Sequence, residues 1–229
     1  MKVNVETQGS IEESSKPSLL KIVLDPTKEF QKIRNKPSIF IPLLIISLCS
    51  ALIGGATTFF MDTETLLKDA PTESAGILEG NAGLVKGFLV GGASLSSLIT
   101  PFFTILLLSV FLLLLVKIKK SDVTFKQLFS MNTYIYTISI IGTFINSSII
   151  LLIHGDLSKF PTSLGAMVDS EGVLSGILSK VEIFQIWQLI LIAIGLQYIA
   201  KISKAYSYTI VTIIFILSIA ITVSGKLIS

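Results

Sequence analysis

The sequence predicts an all-α fold, a polytopic membrane helix bundle with five transmembrane helices, its N-terminus cytoplasmic and its C-terminus extracellular. Three observations predict it: five long apolar tracts, no ionisable carboxylate, ammonium or guanidinium group inside any of them, and an uneven distribution of Lys and Arg between the connections. Of the 229 residues, 51% are hydrophobic and 14% charged, with a mean hydropathy of +0.80. An ordinary soluble domain carries about 25% charged residues.

A helix needs about 20 mostly apolar residues to cross roughly 30 Å of hydrocarbon, because every backbone polar group must be paired internally there. The tracts 38–60, 87–116, 134–153, 183–200 and 206–225 meet that requirement. No cleavable signal peptide is expected, since the first 36 residues hold seven basic and five acidic side chains and no apolar run before a small-residue cleavage site. The chain divides into a cytoplasmic polar head, 1–23, and a five-span membrane domain, 24–229.

Orientation follows from the basic residues, which collect in short cytoplasmic segments. Lys2, Lys16, Lys21, Lys28, Lys32, Arg34 and Lys36 precede the first tract; Lys117, Lys119, Lys120 and Lys126 follow the second; Lys201 and Lys204 follow the fourth. Lys68, Lys86, Lys159, Lys180 and Lys226 fall on the opposite side, among nine acids. Tyr134, Tyr136, Tyr198, Tyr206 and Tyr208 sit at the base-rich ends, where amphipathic rings favour the headgroup level.

The approach to the first span, LDPTKEFQKIRNKP, predicts an amphipathic interfacial helix at 26–35. Asp25 caps it, Pro26 takes its first position, and Phe30 and Ile33 share a face that would lie on the inner leaflet. The second tract is too long for a straight crossing, and Pro101 near its middle predicts a kink or hinge. Gly83, Gly87 and Gly91 recur every four residues and leave one helix face as bare backbone, which admits a second helix from this subunit or from another. Ser47, Ala51 and Gly55 form a weaker stripe on the first span. Asn146, Gln185 and Gln188 are the polar side chains expected to make interhelical hydrogen bonds, or to line a polar solute path. Two long outer loops, 61–86 and 154–182, are read as short interfacial helices or docking surfaces.

Reactive chemistry is sparse. Cys49 lies in an apolar run and reads as a small hydrophobe, and His154 as an interfacial residue, so neither a metal site nor any cofactor is expected. Phosphate-loop, HExxH and GxSxG motifs are missing, and no catalytic residues are assigned. Nor is a nucleic-acid partner expected.

Three stretches resemble the Yip-domain membrane proteins, whose eukaryotic members are named as interactors of small GTPases. They are DPTKEFQKIRNKP, with Asp25, Pro26, Phe30 and Pro37 matching the family's approach to the first helix; TFKQLFSMNTYIYTISIIG; and EIFQIWQLILIAIGLQYIAKISKAYSY, with Trp187 and Gly195. The chain is most similar to the bacterial branch, where an accessory membrane protein works with an ABC-type exporter of the macrolide-efflux kind that protects cells against a toxic peptide. The resemblance implies a non-catalytic assembly subunit in the bacterial plasma membrane, with lipid, permease, adaptor and ATPase components, or a second copy of itself, as partners. A small permease or channel and a membrane-trafficking or membrane-shaping factor are the alternative readings.

Overall fold

The computed structural model describes residues 16–62, 81–154, 160–168 and 172–228. The polar head before Lys16, and the parts of the two outer loops at 63–80, 155–159 and 169–171, lie outside the described residues. Every described element is a helix: α1 (Lys21–Leu24), α2 (Pro26–Asn35), α3 (Phe40–Phe60), α4 (Ala82–Ile118), α5 (Phe125–Ile153), α6 (Leu164–Met167), α7 (Gly172–Ser179), α8 (Ile183–Ile199) and α9 (Lys204–Ile228). One isolated antiparallel bridge joins Ser163 to Glu182.

Among the described residues, four helices, α3, α4, α5 and α9, are long and apolar enough to cross a membrane, and α8 is a shorter apolar helix of 17 residues. At about 1.5 Å per residue α8 measures about 26 Å, a little less than the hydrocarbon thickness. All five apolar tracts are therefore helical, with four of full spanning length. The exposed surface suits lipid: Phe88 is 82% and Ile221 73% exposed, in helices with almost no charge.

Helix ends differ from the hydropathy boundaries because caps, not hydropathy, set them. α5 begins at Phe125, nine residues before the tract 134–153, because Thr124 and Gln127 form a reciprocal capping box. α4 runs unbroken for 37 residues, about 55 Å, with Pro101 buried inside it. The second tract is thus one helix rather than two.

α5 is the axis of the bundle and touches α2, α3, α4 and α8. Its first three turns carry the polar residues Ser130, Asn132 and Thr133, all turned inward. Asn132 Nδ2 donates to Ser109 Oγ of α4 at 2.9 Å, and Ser109 in turn donates to the Ile105 carbonyl. A buried amide bonded across two helices fixes their rotation and depth relative to one another.

The helix at 26–35 has the expected bounds and caps: Asp25 accepts from Lys28 N, and Pro26 opens the helix. Its apolar face meets protein rather than the inner leaflet. Phe30 and Ile33 are fully buried with Ile22 in one cluster that includes Leu128, Met131 and Tyr134 of α5 and Ile192 and Leu196 of α8. Burying a side chain of this size stabilises by about 1.5–3 kcal/mol, so α2 is held on the bundle by its own packing.

Candidate functional site

Two small-residue stripes, a polar cavity and the docked N-terminal segment are the places where this chain could act. The stripes behave differently from one another. Gly55, and beside it Gly54, face α4 so closely that an added Cβ would collide with the hydroxyls of Ser94 and Ser97 respectively. Ser47 and Ala51, two turns and one turn before Gly55, are half-buried. The α3–α4 contact is the most extensive in the molecule, and glycine is what allows it.

Gly83, Gly87 and Gly91 stand on the first three turns of α4 with nothing within 4 Å of where their Cβ atoms would be. Among the described residues, the weaker stripe is used for packing within the chain and the stronger one is left open. Lys86 lies between these glycines; its Nζ donates to the Met61 carbonyl at 3.1 Å and stands 5.7 Å over the Phe59 ring, which ties the start of α4 to the end of α3.

At the opposite end of the bundle from α2, a cavity of about 520 Å³ opens between α5, α8 and α9 and the segment carrying α6 and α7. Asn146 of α5 and Gln185 and Gln188 of α8 all line it, so the structure brings these three residues together. Asn146 is buried, and its Oδ1 accepts from Thr162 N at 3.0 Å and Thr162 Oγ1 at 2.9 Å. That bond runs to a connecting segment and not to another helix. Gln185 does bridge helices, donating to Ser218 Oγ of α9 at 3.3 Å.

The residue that organises this end was not singled out by the sequence. Glu182 is buried, caps α8 by accepting from Gln185 N at 2.7 Å, and lies 2.6 Å from Thr162 Oγ1. Thr162 has one hydroxyl proton and two acceptors in reach, so it links Asn146 and Glu182 into one network. An acid immediately before an apolar run, three residues ahead of a Gln, was the available signal. Lys180, Ser139 and Thr143 complete a lining able to hydrogen-bond a polar solute.

The base-rich end is closed by the N-terminal segment. Gln127 Nε2 donates to the Arg34 carbonyl at 2.8 Å, Ser130 Oγ to the Ser38 carbonyl at 2.8 Å, and Arg34 Nη1 to the Tyr198 carbonyl at 3.1 Å. Glu29 is buried with a partner on each oxygen, Lys32 Nζ at 2.8 Å and Ser18 N at 2.7 Å. Pro37, half-buried, links α2 to α3. Residues of the approach segment are thus pinned by backbone-directed bonds to α5 and α8. Among the described residues, no three His, Cys, Asp or Glu side chains cluster as metal ligands would.

The Yip1 domain matches residues 20–225, a range that starts just before the docked α1 and α2 and ends within α9. The chain is similar to membrane protein YknW of Bacillus subtilis (strain 168), with 31% identity over 219 residues that cover 94% of this chain and 92% of that protein. No solved structure matches. On the family match and the near full-length likeness, this chain belongs to the Yip1-domain family and is a multi-pass membrane protein.

Proposed function

We propose that this protein is a non-catalytic accessory or assembly subunit of a transport complex in a bacterial plasma membrane, specifically an ABC-type exporter of the macrolide-efflux kind that gives protection against a toxic peptide. One observation carries the reading. Gly83, Gly87 and Gly91 present an open backbone face on an exposed apolar helix, although the chain packs other glycines tightly. Close helix approach along such a face needs a partner helix, and the described residues supply none there.

In this reading α8 crosses as a fifth span, the N-terminus is cytoplasmic and the C-terminus extracellular. The base-rich segments and the docked α1–α2 then share the inner side, and the Glu182 cavity opens outward. The resemblance to the bacterial branch supplies the partner class: permease, adaptor and ATPase components, with self-association as a second mode. Affinity purification after extraction in mild detergent tests it, and co-elution with those components is the expected result. Recovery as a lone monomer, under conditions that keep the exporter assembled, would contradict it.

A second reading is favoured by the cavity. Asn146, Gln185, Gln188 and Glu182 line a space large enough for a small polar solute, which suits a permease. Liposomes containing the purified chain separate the two, since solute flux without other subunits is expected only of a permease.

A further inference from the structure

At the base-rich end, the C-termini of α4 and α8 turn out of the bundle side by side. Each turn puts a lysine in the left-handed region, Lys120 at φ 55° and Lys201 at φ 52°. Side chains with a Cβ seldom adopt that conformation, and Gly or Asn ordinarily takes such a position. Ser121 Oγ donates to the Ala200 carbonyl at 2.6 Å and fastens one turn to the other. Between them lies a pocket of about 390 Å³, lined by Lys119, Lys120 and Lys201 and by Ser121 and Ser203, with Asp122 as its one acid.

The lysines around this pocket divide by role. Lys117 Nζ donates to the Ser121 carbonyl at 2.8 Å and braces the turn. Lys119 Nζ stands 5.1 Å over the Tyr206 ring, which is itself anchored by a 2.8 Å bond from its hydroxyl to the Leu115 carbonyl. Among the described residues, the ion pairs involve Asp25, Glu29 and Asp62, so none takes up Lys119, Lys120 or Lys201. Three ammonium groups against one carboxylate leave a positive pocket, with the Ser203 hydroxyl, whose oxygen accepts from Tyr206 N at 3.3 Å, as a donor at its rim.

We infer that this pocket binds the phosphate group of an anionic phospholipid. A lipid, rather than a free anion, fits because the last turns of α4 present Leu114, 64% exposed, and Ile118, 68% exposed, directly before Lys119. Acyl chain can lie along those side chains while its headgroup reaches the lysines and the Ser203 hydroxyl. Free phosphate would gain only the polar half of that surface. The inference concerns the isolated chain and does not depend on the exporter reading.

The test uses purified full-length protein in nanodiscs, with bound lipid counted by native mass spectrometry and thermal stability followed in parallel. Wild type should retain phosphatidylglycerol over phosphatidylcholine by about tenfold or more. The variant Lys119→Gln/Lys120→Asn/Lys201→Asn keeps residues tolerant of positive φ where they are needed, and should lose that preference. A charge-matched control, Lys16→Gln/Lys36→Gln/Lys126→Gln, should keep it. The single Lys119→Gln change, at an unstrained position, should lower it if the triple variant fails to fold. Equal loss in pocket and control variants would overturn the pocket in favour of a diffuse basic face. Equal competition by inorganic phosphate would overturn the lipid, and absence of any preference would overturn both.

Discussion

Gly195 of α8 stands where Phe30 of α2 enters the bundle: a Cβ on Gly195 would lie 3.2 Å from Phe30 Cε1 and 2.6 Å from Met131 Sδ. The missing side chain is the socket, and Met131 and Phe30, both fully buried, share it. This pair joins the approach segment to the fourth apolar tract, two of the three stretches that carry the family resemblance. It turns a surface helix into part of the core.

Phe30→Ala should destabilise the detergent-solubilised protein by about 3 kcal/mol, the cost of emptying a core aromatic site. Limited proteolysis should then cut at Lys28, Lys32 and Arg34 in the released α2. Leu24→Ala, at a position 84% exposed, serves as the matched change with little effect. Equal melting of both variants would show that α2 does not hold its place through Phe30.

The two glycine stripes should separate stability from association. Gly55→Leu must push α4 away from α3 and is expected to lower the melting temperature and yield of the isolated chain, with overpacking of about 1–3 kcal/mol or more. Gly87→Leu meets open space and should leave the isolated chain's melting temperature unchanged while weakening partner co-elution. Unaltered co-elution would assign that face to lipid.

At the cavity end, Glu182→Ala removes the cap of α8 and an acceptor of Thr162, and Asn146→Leu removes the other. Each should cost about 1–3 kcal/mol locally. Hydrogen exchange should rise at residues 160–168 in both variants, and in the first turn of α8 in Glu182→Ala alone. Exchange unchanged in either would show that the network does not hold this end together.

Asp25 provides the pH test. The hydrogen bond from Thr27 is the main cause that holds its carboxyl below the ordinary 3.8; desolvation opposes it, and the Lys28 backbone and side chain add lesser lowering contributions. A depressed folded-state pKa means the cap contributes fully above the unfolded value and is lost as pH falls through the folded one. Wild type and Asp25→Ala should therefore differ in α2 protection at pH 6, with the difference starting to shrink below about pH 4 and vanishing only once the pH lies below the lowered folded-state value.

The sequence made the helices visible and left much of their packing hidden, for physical reasons. Charge-free runs have one environment available to them, so all five apolar tracts appear as helices. Hydropathy could not see that α5 starts at Phe125, because Ser130, Asn132 and Thr133 look like loop residues until their inward face is known; the Thr124–Gln127 box was the readable clue. The face made by Phe30 and Ile33 looks identical whether lipid or protein covers it. Only the hole at Gly195 decides, and a hole requires the fold. Asn146, Gln185 and Gln188 were legible as polar groups in apolar helices, whereas Glu182 and Thr162 lie in connections where polar residues attract no notice.

The most direct measurement places a photoreactive amino acid at Phe88, beside Gly87 on the exposed side of α4, and irradiates intact cells. The account predicts a discrete adduct with a permease, adaptor or ATPase component, lost when Gly87→Leu is added. Adducts with lipid alone, unchanged by Gly87→Leu, would contradict it.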